Sequence, residues 1–177
     1  MRSNTLPSAN LTLDPATPAT APLLSNLLQL YLHDLSETFP IEIGEDGRFA
    51  YDRLPLYWSE PATHFAFLIR AEGRVAGFAL VTRGSPATAD PEDLDVAEFF
   101  VLRSHRRSGV GRRAAFLLWD LLPGRWVVRV AEANRAGLPF WQSVVREYTQ
   151  GAFSTTEHRG KLHTFRVFSF RSATTSH

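Results

Sequence analysis

The chain has 177 residues, 44% of them apolar, and a formal net charge of +1. That length suits one domain with a sizeable core. The near-neutral charge gives no global reason to expect a nucleic acid or an anionic membrane as partner. The absence of cysteine excludes a disulfide framework, a thiolate zinc site and a cysteine acyl-enzyme intermediate.

Residues 1–9 read as a disordered N-terminus, residues 10–171 as a single domain and residues 172–177 as a disordered tail. The N-terminus has no apolar signal-peptide core, and no stretch approaches the roughly 20 apolar residues of a membrane span. A cytoplasmic protein is the expectation. Leu11-Thr12-Leu13 reads as a short first strand. Leu23, Leu24, Leu27, Leu28, Tyr31, Leu32 and Leu35 recur at helical spacing and predict a helix from about Pro22 to Ser36.

Phe39 to Pro61 has no clean period but holds many aromatics. Phe65 to Ile69 and Val75 to Thr82 predict a hairpin around Ala71-Glu72-Gly73-Arg74. Asp95 to Leu102 is a third strand, leading into a basic loop from Arg103 to Ser108. Val110 to Leu122 is a helix, with Val110, Ala114, Leu117, Leu118 and Leu121 on one face and Pro123-Gly124 as its stop. Trp126 to Val130 is a strand and Gly137 to Glu147 a helix. Phe153 to Glu157 and Thr164 to Phe170 close the chain as a hairpin around Arg159-Gly160.

The densest chemistry lies where strand, basic loop and helix join: Val96 to Leu102, Arg103 to Ser108, then Gly109-Val110-Gly111. A helix start exposes unpaired backbone N–H groups and carries about half a positive charge. Glycines there let an anion's oxygens approach the backbone, and arginines add charge and donors suited to phosphate. The same residues would also make a tight strand-to-helix turn with a solvated arginine cluster. No Lys-Ser/Thr follows the glycines as in a Walker P-loop, and the three-glycine Rossmann spacing is absent. The six histidines show no metal-binding spacing, so no metal is expected. No GxSxG elbow appears either.

Arg106-Arg107-Ser108-Gly109-Val110-Gly111 matches in full the Gln/Arg-x-x-Gly-x-Gly/Ala motif of the GNAT superfamily of N-acetyltransferases, and the chain resembles that family from about Leu11 to Phe170. Tyr57-Trp58, Gly77-Phe78 and Phe140-Trp141 resemble a bacterial branch of predicted acetyltransferases. The resemblance implies an α/β fold: a mixed, mostly antiparallel, seven-stranded twisted sheet with helices on both faces. It also implies acetyl transfer from acetyl-CoA to a primary amine, the acceptor being a small molecule or a peptide. Arg106, Arg107, Ser108, Gly109, Val110, Gly111 and Arg112 would then bind the pyrophosphate. Phe99, Phe100 and Val101 would lie alongside the pantetheine, with a backbone N–H near Phe99 polarising the thioester. Asn134 and Trp141 match the positions that complete the cofactor site. Asn134 also reads as an N-cap of the helix after it, although Pro139 complicates a helix starting that early.

Glu98, beside the expected thioester, is the candidate general base, because amine attack needs a neutral amine and burial raises a carboxyl pKa. Period two would put Val96, Glu98 and Phe100 on one face. A glutamate on a solvated strand face is the plain alternative. Where the family has a Phe-Tyr pair, this chain has Phe140-Trp141, and indole is no acid. Tyr148 or a water would replace it, the thiolate would leave unaided, or the protein would bind acyl-CoA without turnover. Tyr31, Phe39, Tyr51, Tyr57 and Trp58, with His33, Asp34 and His64, fall where an acceptor pocket is expected. Arg103, Arg106, Arg107, Arg112 and Arg113 leave a nucleic-acid partner as a third reading. Phe165, Val167, Phe168 and Phe170 could contribute to a homodimer interface.

Overall fold

In the computed structural model, which describes residues 10–172, the strands are Leu11–Pro15 (β1), His64–Ala71 (β2), Arg74–Arg83 (β3), Leu94–Val101 (β4), Arg125–Ala131 (β5), Ser154–Arg159 (β6) and Thr164–Arg171 (β7). The helices are Ala21–Leu35 (α1), the single turn Leu56–Ser59 (α2), Val110–Leu121 (α3) and Gly137–Thr149 (α4). One mixed sheet runs β1-β2-β3-β4-β5-β7-β6. Every neighbouring pair is antiparallel except β4 and β5. The disorder expected for residues 1–9 and for most of the C-terminal tail lies outside the described residues. Ser172, read as the start of that tail, is instead buried and hydrogen-bonded to the Gly124 backbone.

Strand β3 sits centrally and is apolar on both sides, and its alternation assigns the two layers. Phe78 and Leu80 face α1 and α2, where Leu24, Leu28, Leu32 and Tyr57 close the core. Ala79 and Val81 face α3 and α4, packing with Leu118, Trp119, Val144 and Val145. Gly77 lets β4 come close: a Cβ there would lie 1.9 Å from the Phe100 carbonyl oxygen. Helix α3 is rotated from the sequence expectation. Leu117 and Leu121 are exposed, while Ala115 and Trp119 are buried with Val110, Ala114 and Leu118. The reason is α4, which flanks α3 and draws Trp119 into an aromatic cluster with Trp141, Tyr148 and Phe170.

Two irregularities open and shape the centre of the sheet. The first is the β4–β5 ladder, which holds only the pairs Leu94↔Trp126 and Asp95↔Val127 before the strands part. The second is a bulge in β4, since Leu80 pairs with Glu98 but Val81 with Val96, leaving Ala97 as the extra residue. This corrects the period-two expectation. Val96 packs on the α3–α4 side, whereas Ala97 and Phe100 belong to the α1 side, where Glu98 bonds Tyr31. Of the residues expected at a homodimer interface, Val167, Phe168 and Phe170 are buried in the chain's own core and Phe165 is half-buried.

Candidate active site

Beyond Asp95 the β4 edge has no β5 partner, and backbone N–H and C=O groups from Val96 onward border a wedge-shaped gap. A cavity of about 400 Å³ occupies this gap, lined by Glu98, Phe99, Val130, Asn134 and Trp141 among others. A second cavity of about 480 Å³ lies on the α2 side, against Tyr51, Tyr57, His64 and Arg83. The two share Arg53, Ala97, Glu98 and Arg129 as walls. Glu98 therefore stands at the junction of two chambers, and the bulge is what turns its side chain there.

The Glu98 carboxyl is held at both oxygens. Tyr31 on α1 donates to Oε2 at 2.5 Å, and Tyr51, before α2, donates to Oε1 at 3.0 Å. Burial is the largest influence on its protonation and lifts the carboxyl above the ordinary carboxylate range. The two hydroxyls and the Arg129 charge pull it back only in part. Burial, then the adjacent Glu98, push the Tyr31 and Tyr51 phenols far above their usual value, so both stay protonated donors.

Asp95, fully buried, fixes the point where the strands separate. Arg129 on β5 grips it with Nε and Nη2, each at 2.8 Å, and the Ser85 hydroxyl adds a short hydrogen bond. Burial alone would lower the Arg129 pKa, but the pairing with Asp95 outweighs it and the guanidinium stays charged. Sequence reading missed this pair. The available signal was an arginine in the apolar run Trp126 to Ala131 opposite an acidic residue in β4.

The basic loop reaches α3 through backbone in the left-handed region: Arg107 has φ 60° and Gly109, the N-cap, φ 83°. No side chain caps α3, and its first turn has no acidic residue. The Ser108 hydroxyl is spent on the His105 carbonyl, and Val110 is core. The first amides of α3 thus have no side-chain cap. Gly111 is tight against Phe140, 3.3 Å from where a Cβ would be, which brings α3 and α4 together.

The loop's guanidinium groups are mostly committed elsewhere. Arg103 and Arg106 both bond Asp34 on α1 at 2.6 Å, and Arg106 Nε donates to the Val101 carbonyl at 2.7 Å. Burial works to raise the Asp34 carboxyl, but these two partners outweigh it and hold the group below its usual range. Arg112 bonds Glu147 at 2.5 Å. Arg107 is exposed and has no carboxylate partner among the described residues.

Asn134 accepts the Gly137 N–H at 2.8 Å from two residues before the N-cap of α4, which is Ala136 and not Asn134 as expected, and it also lines the wedge cavity. Because α4 begins at Gly137, Pro139 falls in its first turn, where no intrahelical N–H is needed. Trp141 meets Phe99 edge-on at 5.0 Å. Phe100 turns the other way, toward Tyr31 and Phe78. Tyr148, the sequence's alternative acid, lines neither cavity, and its hydroxyl donates to Asp120 at 2.7 Å. Of the expected pocket aromatics, Tyr31 and Phe39 line the wedge and Tyr51 and Tyr57 the second chamber. Trp58 instead ties α2 to the Ala16 carbonyl, and His33 sits beside Phe49.

Residues 25–144 match the family model described as acetyltransferase (GNAT) family, and the chain belongs to that family. No curated protein sequence matches it. Among solved structures, it is similar to an acetyltransferase from Thermus thermophilus, with 20% identity, TM-score 0.65 and coverage of 92% of this chain and 97% of that one. A spermidine N-acetyltransferase from Vibrio cholerae in complex with CoA and spermine aligns at 14% identity and TM-score 0.61, covering 92% and 95%. An aminoglycoside acetyltransferase in complex with coenzyme A aligns at 14% identity and TM-score 0.65, also covering 92% and 95%. Among the described residues no helix is long and apolar enough to cross a membrane.

Proposed function

We propose that this chain is an N-acetyltransferase that uses acetyl-CoA and hands the acetyl group directly to a primary amine in a ternary complex. The observation that carries the reading is Glu98, a carboxyl with raised proton affinity at the junction of the two chambers. Acetyl-CoA fits the residues present. The uncapped start of α3, with Arg107 beside it, suits a pyrophosphate. The β4 edge at Phe99, Phe100 and Val101, which has no β5 partner, suits the amides of a pantetheine arm, although the Val101 carbonyl already accepts from Arg106. Coenzyme A complexes of the aminoglycoside and spermidine enzymes on the same fold support the choice of donor.

In this reading the chain's residues do four things. The helix mouth and β4 edge orient the thioester, and a backbone N–H near Phe99 polarises its carbonyl. Glu98 takes a proton from the attacking amine nitrogen as the N–C bond forms. Tyr31 and Tyr51 hold Glu98 in place and keep enough of it ionised to act. The C–S electron pair leaves on sulfur, and because a thiolate is stable near its ordinary pKa of about 8.5, no acid from α4 is required. Glu98 then returns its proton to solvent.

The test is CoA release across an amine panel for wild type and Glu98→Gln. Turnover should fall by about 100-fold or more in the variant, with acetyl-CoA affinity retained. A second reading, a non-catalytic acyl-CoA-binding module, is favoured by Trp141 and by the position of Tyr148. It prevails if wild-type CoA release never exceeds buffer hydrolysis while acetyl-CoA still binds.

A further inference from the structure

The lining of the two chambers has an uneven charge. Glu98 is its one carboxylate, against three guanidinium groups, Arg53, Arg83 and Arg129. Two of these are already neutralised: Arg83 by Glu92 at 3.0 Å and Arg129 by Asp95 at 2.8 Å. Arg53 differs. It lines both chambers, is exposed, and has no carboxylate partner among the described residues. It sits in the turn before α2, two residues after Tyr51, whose hydroxyl bonds Glu98. The same short segment thus brings a proton-accepting centre and a lone fixed cation to one junction.

We infer that the acceptor is a primary amine that also carries a carboxylate, with its nitrogen toward Glu98 and its carboxylate bound by Arg53. The inference rests on the acetyltransferase reading and narrows its substrate class. A guanidinium offers paired donors that match a carboxylate. A zwitterion complements one negative and one positive group that line the same two chambers. A polyamine or aminoglycoside would bring its second positive charge among guanidinium groups with no further carboxylate to receive it. The likeness in fold to enzymes of polycationic amines therefore does not extend to the acceptor.

The experiment compares glycine, leucine, phenylalanine and glutamate with their methyl esters and with spermidine as acceptors, in wild type, Arg53→Gln and Arg53→Glu. Released CoA is read with a thiol reagent, to which the cysteine-free chain contributes no background. In wild type at least one free acid should exceed its ester in kcat/KM by about 10-fold or more. The preference should collapse toward unity in Arg53→Gln, mainly through KM, and Arg53→Glu should gain on spermidine. Equal use of acid and ester by wild type, or a preference that survives in Arg53→Gln, overturns the inference but leaves acetyl transfer standing. Should no amine be acetylated, acetyl transfer itself fails, and calorimetry of the free acids with CoA present decides the rest. Binding lost in Arg53→Gln would support the anion site, and no heat in wild type would overturn it.

Discussion

At the scale of single residues, Glu98 sets up an opposition between activity and stability. Burial lifts its pKa in the folded chain above the unfolded value, so the ionised form is disfavoured by folding. Its contribution to stability is fully present below the unfolded pKa and is lost as pH rises through the folded one. That contribution shrinks as pH rises above the unfolded value, so Glu98→Gln should gain in melting temperature over wild type as pH rises, even as it removes turnover. Thermal denaturation of both proteins checks this. The flanking phenols act in the opposite sense, since each hydrogen bond favours the charged carboxylate. Tyr51→Phe should therefore move the acidic limb of the pH–kcat/KM profile to higher pH, whereas a merely structural role would lower the curve without displacing it. Asp95 is the other residue under tension. Arg129→Met would strand a buried carboxylate and should cost about 3–5 kcal/mol in urea denaturation.

Among elements, the loop from Arg103 to Gly109 is held from outside itself. Asp34 on α1 clamps two of its arginines. Because the folded Asp34 pKa is depressed, this clamp stabilises above the unfolded value of about 3.9 and is lost as pH falls through the folded pKa. The stability gap between wild type and Asp34→Asn should be on the order of 1 kcal/mol at neutral pH after solvent screening, and should vanish in acid. Gly109→Ala, forced to φ 83°, should cost about 1–2 kcal/mol although nothing crowds the new methyl. Local sequence made much of this loop legible, since glycine, arginine and the strand-to-helix change are all local signals. The fate of Arg106 was not legible, because its partner is 72 residues away. The bulge at Ala97 was hidden for a related reason: it is a mismatch between two strands, and the odd spacing of Asp95 and Glu98 in β4 does not by itself say which residue is extra. The rotation of α3 likewise depends on α4, of which the apolar spacing in α3 carries no trace.

For the molecule as a whole, the order of the strands and of the three longer helices was readable because hairpins, helix stops and apolar periods are each short-range, whereas the single turn α2 was not. What could not be read was the depth of the β4–β5 separation, which depends on how many ladder pairs form across a long crossover. Hydrogen exchange should report it. Amides of residues 96–101 that face the gap should exchange faster than those of β3, and acetyl-CoA should slow them.

The two-pair ladder makes the sheet resemble a book bound only near one end of its spine, with the Asp95–Arg129 grip as the stitch. One cover is β1 to β4 and the other β5 to β7. Anything slid between the pages braces both covers at once, so a donor molecule there works as a structural shim as well as a reagent. At a hundred times its Kd such a shim is worth about 2.7 kcal/mol to the whole assembly. An empty book should accordingly come apart at a lower temperature than a filled one, starting from its open margin rather than from the binding.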